Sequence, residues 1–490
     1  MKKFLIILIF NLSFLFAFGN NVKDIEKYFY RDSFETQEEI KKSDKAVVVR
    51  NMKISNIDPA LMSEDYSKRI IPLVYETLFE MEADGKIEKN LVEEYNWLTE
   101  REIYIKLKSN ILFHDNSELV ALDIKNSLEF LKERGVLKNI YSQITSIKVL
   151  SDRELIIKIA EEDKGFLNSL TYGIASIVKR DNKGKVLGTG KYKVEKINGK
   201  ETILSKFDAY YGEKGQFKEV IFTWEIDEKQ RLINFFNGSV SMAANMKKEN
   251  VEEGKRLGII SSSDIVFPSK ITVTKALVFG EQKEYSLELK KILDKIVLKN
   301  KKSFFPNEFL NMNLSNLNGR KYNNINKEYI RERIKYLKIK DINLMILNTE
   351  SDMEEANKIK NSLKEYGINV KILPHQIEAY NRKLASKNYD MAIFNMAMEK
   401  DDLVLLLSTI LLNEVKNIDL YNGLLPFFEM LKIENDLENR EKIIQKMAFL
   451  IQQNIPYIVL DHYKYYTVTT EEFIKLLDEI RKLKKAKGEN

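Results

Sequence analysis

The chain has 490 residues, 44% of them hydrophobic and 31% charged, with 79 Lys+Arg nearly cancelled by 73 Asp+Glu. That length predicts two to four domains with ample apolar material for real cores. A net charge of +6 spread so thinly excludes a nucleic-acid footprint, which needs basic residues gathered on one face. The chain has no cysteine, which excludes disulfides, thiolate catalysis, zinc–thiolate sites and a lipidated N-terminal Cys. His114, His375 and His462 lie too far apart for a His-Glu-x-x-His metal helix, so neither a metal nor a cofactor is expected.

Taken in chain order, Met1-Lys2-Lys3 is a short basic region, and residues 4–18 form an apolar run broken at Asn11 and Ser13. Ala17 and Gly19 then put small residues where a signal peptidase reads, which predicts residues 1–19 as a signal peptide cleaved before Asn20. The run is too short to cross a bilayer comfortably, so export is expected rather than an anchor. No later stretch reaches 18 uninterrupted apolar residues; 403–412 has the length of a core helix. A soluble, periplasmic mature protein is the expectation. Residues 20–45 are polar and charge-mixed, with the character of a linker.

Ala46-Val47-Val48-Val49 is the first buried-strand signal, a short run dominated by β-branched residues. Asp58-Pro59 marks a turn, and 66–79 has helical spacing through Ile70, Leu73, Val74 and Leu78. Residues 103–107 alternate like a strand, and Asp123 opens an amphipathic helix with Ile124, Leu128 and Leu131 on one face. Residues 144–150 and 155–159 pair around Ser151-Asp152, and 192–197 and 202–205 around Asn198-Gly199. Farther on, 342–347 reads as a strand, 352–366 as a helix stopped at Gly367, and 368–373 and 391–394 as further strands. Such a crossover length implies a parallel βαβ unit. Residues 441–451 and 471–483 read as amphipathic helices. No repeat of 20–50 residues occurs, and the class is α/β.

Five segments in this order resemble the peptide/nickel-type (family 5) extracytoplasmic solute-binding proteins of ABC transporters. They are Ile57-Asp58-Pro59-Ala60; Val74-Tyr75-Glu76-Thr77-Leu78; the stretch 103–128 with Phe113-His114-Asp115 and Ala121-Leu122-Asp123-Ile124; Gly188-Thr189-Gly190-Lys191-Tyr192; and Tyr210-Tyr211-Gly212. The likeness runs from about 46 to 245 and, more weakly, from 340 to 402. Asn116 replaces a glycine of the pattern and Lys191 a proline, and the arginine-rich helix of the middle is missing unless 285–297 is its remnant. The resemblance implies a two-lobed, type II periplasmic-binding-protein-like fold with an extra inserted subdomain. Mapped onto this chain, 46–72, 185–265 and 462–490 form lobe one, 73–184 the insert and 266–461 lobe two. The chain then crosses between lobes near 263–272 and 456–466.

In peptide-binding relatives an aromatic followed three residues later by Asp binds the ligand's α-amino group; here that spacing reads Met396-x-x-Glu399. A polar cluster after a buried strand is where α/β folds place ligands, so Asn395, Met396, Met398, Glu399 and Asp402 are the candidate ligand residues. His462, beside the second crossing, is added as a hinge hydrogen bonder or cleft contact. The bland alternatives are a solvated loop or a helix N-cap cluster for Glu399 and its acidic neighbours, and ordinary core for the two methionines. Glu76 and His114 read as structural, His114 as the stabiliser of its turn. No Gly-x-Ser-x-Gly elbow, phosphate loop or dinucleotide fingerprint occurs, so no enzyme and no catalytic residue is expected. The expected function is a monomeric receptor that hands a peptide or small-molecule ligand to an ABC permease. The rivals are a metal-chelate or haem-like ligand, or a periplasmic peptide sensor or chaperone.

Overall fold

The computed structural model describes residues 44–473 apart from 55, 63–69, 82–85, 136–137, 164, 182–183, 281–291, 294–305, 307–326, 387, 399–417, 435 and 455–456. Strand β1 (Lys45–Arg50) is the expected run, and parallel neighbours flank it on both sides. With both edges paired and both faces covered, its residues from Val48 to Arg50 are all buried, as a central parallel strand requires.

Next come β2 (Val92–Thr99), β3 (Glu102–Leu107), helix α1 (Ala121–Arg134), β4 (Ile144–Ser151) and β5 (Glu154–Ile159). The four strands form a separate antiparallel sheet in the order β2-β3-β5-β4. Period-two alternation buries Ile103, Ile105 and Leu107 of β3 and Leu155, Ile157 and Ile159 of β5 on one face. The α1 residues Ile124, Leu128 and Leu131 close over them to complete one core. Asp123 sits in the third position of α1, where its Oδ2 accepts the Val120 N–H at 3.0 Å and so caps the helix start. The helical spacing over 66–79 is not realised as one helix. Among the described residues it yields a single turn, Ile71–Val74, and Tyr75 is already extended. The turn stops at Val74, whose carbonyl accepts the Gly190 N–H.

Apart from two short two-stranded sheets, Phe79–Met81 with Ile87–Lys89 and Lys179–Arg180 with Val186–Leu187, the remaining strands join β1 in one ten-stranded sheet. They are β6 (Tyr192–Ile197), β7 (Glu201–Lys206), β8 (Glu219–Trp224), β9 (Met242–Met246), β10 (Ile265–Phe279), β11 (Asp341–Leu347), β12 (Asn369–His375), β13 (Met391–Met398) and β14 (Tyr457–Thr469). Their order is β6-β7-β8-β1-β9-β14-β10-β13-β11-β12. Helices α2 (Glu228–Phe236) and α3 (Lys248–Arg256) follow β8 and β9, and α4 (Lys327–Tyr336) precedes β11. The unit β11–α5 (Glu350–Lys364)–β12 is the expected parallel βαβ, with Gly367 at φ +81° in the turn that leads from the helix into β12. Helices α6 (Ile377–Ala385), α7 (Ile418–Ile433) and α8 (Leu437–Asn454) cover the other face of this half.

Two long antiparallel strands, β10 and β14, join the two halves, and their pairing is broken in the middle. Pro268 faces Tyr466 and the next pair is Thr272 with Lys464, so residues 269–271 oppose Tyr465 alone. Proline has no N–H to continue the ladder. An unequal residue count makes a bulge that bends the strands. A second slip follows between Lys275 and Ala276, so the molecule has two lobes hung on two strands whose pairing is interrupted twice.

Candidate functional site

The segments that carry the family resemblance assemble in space, and their side chains bind one another. Glu76, 5% exposed, accepts hydrogen bonds from the Thr189 hydroxyl at 2.7 Å, Tyr210 at 2.9 Å and Tyr211 at 3.0 Å. Burial, and then the Glu76 carboxylate, push both tyrosine pKa values up. The Gly188 N–H donates to His114 Nδ1 at 3.3 Å, which leaves Nε2–H to donate to the Gly190 carbonyl at 3.0 Å. Burial holds His114 neutral, its pKa lowered to about 4. A Cβ on Gly188 would lie 2.0 Å from the Val74 carbonyl oxygen, so only glycine lets these two backbones meet. Asp58 takes Arg180 bidentately at 2.7 and 2.9 Å, and the Arg180 guanidinium stacks on Phe130. Asn116 stands in the left-handed region at φ 65°, which explains how it substitutes for the glycine of the pattern. His114 and Glu76 are structural, as read from sequence, but His114 fastens the Gly188–Gly190 loop rather than its own turn alone. The motif is a clasp between the four-stranded unit and lobe one.

The cleft is found from strand direction. In lobe one β1, β8 and β9 are parallel, and β9 ends with Met246 opposite Tyr466. In lobe two β11 and β13 are parallel, and β13 ends with Met398 opposite Thr272. The carboxyl ends of both sets therefore point at the bulge between residues 268 and 272, toward each other. Ligands of α/β folds bind outside the carboxyl ends of parallel strands.

The lobe-two wall of this cleft is a polar network. Lys275 Nζ lies 2.9 Å from Asp352 Oδ1 and donates to Ser351 Oγ, also at 2.9 Å; both members of the ion pair are buried. Thr349 caps α5 by accepting the Asp352 N–H, which fixes the carboxylate at the helix start. Asn395 Nδ2 reaches both Asp352 oxygens at 3.4 Å, and the Tyr463 hydroxyl reaches Asn395 Oδ1 at 3.5 Å. Tyr463 and the bulge residue Tyr465 stand edge to face with their hydroxyls 3.3 Å apart. Burial raises both pKa values, and the charges of Asp352 in one lobe and Glu228 in the other add to it. Tyr465 therefore feels both lobes at once. On the lobe-one side lie Arg50, Asn245 and Arg231.

The predicted ligand residues are divided by the period of their strand. Asn395 faces the Asp352–Tyr463 network. Met396 and Met398 point to the opposite face, where Met398, 1% exposed, lies in the apolar cluster of Leu424, Leu431 and Met447 under α7 and α8, and Met396 packs against it. His462 shares that face: its Nδ1 is 2.9 Å from Thr274 Oγ1, which donates to Met398 Sδ at 3.2 Å. Glu399 and Asp402 lie outside the described residues, as do residues 1–43, the 403–412 stretch and the end of the chain after 473. Sequence reading passed over Arg50, Asn245, Lys275, Asp352, Tyr463 and Tyr465. The one available signal was the run Tyr463-Lys464-Tyr465-Tyr466, rich in tyrosine, where the apolar start of the strand gives way to polar residues. Among the described residues no group of three His, Asp or Glu could hold a metal, and no helix is long and apolar enough to cross a membrane.

Comparison with known proteins agrees with this architecture. Residues 86–285 match the family model described as bacterial extracellular solute-binding proteins, family 5, middle. The nickel-binding protein NikA of Staphylococcus aureus (strain NCTC 8325 / PS 47) is 27% identical over 196 residues, which are 38% of this chain and 40% of that protein. The aligned stretch thus spans less than half the length of this curated relative. The periplasmic binding protein DppA of Helicobacter pylori, solved with the peptide STSA, superposes with a TM-score of 0.69 at 20% identity, covering 89% of this chain and 95% of that one. The oligopeptide-binding protein AppA of Bacillus subtilis, solved with a nonapeptide, gives 0.70 at 16% identity, covering 87% and 94%. The chain thus shares with bacterial extracellular solute-binding proteins, family 5, the sequence pattern of its middle, and with the solved DppA and AppA structures the two-lobed fold.

Proposed function

We propose that the chain is an exported receptor that captures a peptide or similar small ligand between its lobes and delivers it to an ABC importer in the inner membrane. The observation that carries the reading is the opposition of two sets of parallel-strand ends across a bulged two-strand hinge. A receptor of this shape needs only a ligand that binds the closed state better than the open one. The peptide-bound DppA and AppA structures, which share the fold, support the ligand class. Lobe one comprises 46–72, 185–265 and 462–490, the insert 73–184, and lobe two 266–461. Asn395, Glu399 and Asp402 carry the ligand contacts of lobe two, Met396 and Met398 form the packed floor behind them, and His462 braces the hinge. Residues 1–19 are removed on export, and the mature protein acts as a monomer that binds without transforming its ligand.

The test is native mass spectrometry of the mature protein exposed to a casein hydrolysate, with nickel–histidine as a separate arm. Small-angle scattering before and after addition reads closure. Retention of peptides with a smaller radius of gyration is the expected result. Retention of nickel–histidine alone, or no compaction at saturation, overturns the peptide reading.

A further inference from the structure

The hydrogen bonds of the lobe-two wall run in one direction. The Asp352 carboxylate, paired with Lys275, only accepts, so the Asn395 amide turns its Nδ2 toward it and its Oδ1 away. The Tyr463 hydroxyl spends its one hydrogen on that Oδ1. The contact between the two tyrosines is then made with the hydrogen of Tyr465, and the Tyr465 oxygen is left as an acceptor with nothing more to donate. Its place in the sheet leaves it room to move. On β10 no residue pairs with it one to one, and on β9 the last pair is Met246 with Tyr466, so Tyr465 lies just past the end of that ladder.

Lobe one has the opposite deficit. Arg231, on α2, is 1% exposed, and three backbone carbonyls fix its two amino groups: Glu225 at 2.6 Å, Ile226 at 2.8 Å and Asn245 at 2.8 Å. Asn245 adjoins Met246, so the guanidinium is held at the level of the bulge. Its Nε–H is buried with no acceptor among the described residues, a costly state for a charged donor. Burial pushes the Arg231 pKa down, and the charges of Glu228 and Tyr465 are foremost in opposing it. A donor without an acceptor and an acceptor without a donor thus stand on the two sides of one hinge.

We propose that Tyr465 is a closure latch: as the lobes rotate about the bulge, its oxygen accepts the Arg231 Nε–H, and that bond holds the closed state. The inference rests on the reading of the chain as a clamp-like receptor and assigns the groups that set how long the clamp stays shut. Arg231, tied at three points, stays where it is, whereas Tyr465 sits at the pivot and swings to meet it. The bond satisfies a buried donor that the present arrangement leaves unmatched, so the protein itself contributes to the preference for the closed state. Such a latch acts on the rate of ligand release and leaves ligand choice to the rest of the cleft.

The full mature protein carrying Lys200→Cys and Lys358→Cys, one exposed position in each lobe, is dye-labelled and exposed to a pooled tripeptide library. Tyr465→Phe keeps the ring and removes the oxygen. It should shorten the closed-state dwell in single-molecule transfer by about 10-fold or more, the weight of one hydrogen bond to a charged group. Tyr463→Phe leaves the Tyr465 oxygen in place and should largely preserve the dwell. In protein with isotope-labelled arginine, the Arg231 Nε–H resonance, identified by its loss in Arg231→Lys, should move downfield when the pool is added and stay in place in Tyr465→Phe. The dwell comparison decides even where Arg231→Lys fails to fold. An unaltered dwell in folded Tyr465→Phe, or an equal shift of the resonance in that variant, overturns the latch and leaves the receptor reading intact. A pool that moves neither the distance distribution nor the resonance of the unaltered protein sinks the peptide-clamp reading and this inference together.

Discussion

His114 illustrates how a single side chain can be committed to structure by its protonation state. Its Nδ1 accepts from a backbone N–H, so the clasp it forms requires the neutral ring. Its folded pKa is about 4 against an ordinary 6.5. Below 6.5 the unfolded chain takes up a proton that the folded chain refuses until about 4. Stability from this group is therefore complete above 6.5 and is lost as pH falls through that window, by at most about 3 kcal/mol. Melting temperature followed from pH 7 to 4 should fall, and His114→Gln should flatten that slope while lowering the plateau. A wild-type profile that stays level across the window would show that the ring is not held neutral. Glu399 is the complementary case on the binding side. If it meets the ligand's ammonium, Glu399→Gln should weaken binding of a free tripeptide by at least about 30-fold, with apo melting unchanged or raised. A drop in apo stability with unaltered affinity would assign Glu399 to a helix cap instead.

Among the elements, β13 shows what sequence could and could not yield. Its hydrophobic run made it legible as a buried strand, and its place after a βαβ unit pointed to a ligand-bearing end. Which of its side chains enter a cleft depends on the elements above and below it. Period two sends Asn395 to the Lys275–Asp352 side and Met396 and Met398 under α7 and α8. The Lys275–Asp352 pair joins β10 to the start of α5 across 77 residues of sequence, a separation no local pattern announces. Removing one member of a buried pair typically costs about 3–5 kcal/mol, whereas replacing both with apolar groups is often neutral. Asp352→Asn should therefore lower stability strongly, and the double change Lys275→Met with Asp352→Leu should recover most of it in chemical denaturation. Equal losses in single and double variants would mean that the pair packs and does not merely neutralise.

At the scale of the molecule, the hinge is the decisive feature. Three residues, 269–271, face Tyr465 alone, so both crossing strands bend at the same level. Closure can occur there without disturbing the pairs on either side, which keep their register from Ile265–Thr469 to Pro268–Tyr466 and from Thr272–Lys464 to Lys275–Asp461. The chain has no cysteine, so Lys200→Cys in lobe one and Lys358→Cys in lobe two make an unambiguous pair for dye labelling. Both side chains are exposed. Single-molecule transfer between the dyes should show a shorter, narrower distance distribution once a tripeptide is bound. An identical distribution at saturation would describe a rigid pocket and would remove the clamp mechanism.

The sequence by itself determined the class and order of the parts. Alternation marked β3 and β5, β-branched runs marked β1, turn residues marked the hairpins, and five short segments carried the family resemblance. These signals are local, because side-chain period and turn chemistry act within a few residues. The 66–79 spacing misled for the opposite reason: the helix stops at Val74, whose carbonyl is taken by the N–H of Gly190, more than a hundred positions away. The site was decided only in three dimensions. Arg50, Asn245, Asp352, Tyr463 and Tyr465 come from separate strands and a helix start, none with a motif of its own. Strand direction and one shared bulge bring them to a single level, and that convergence is a property of the folded sheet.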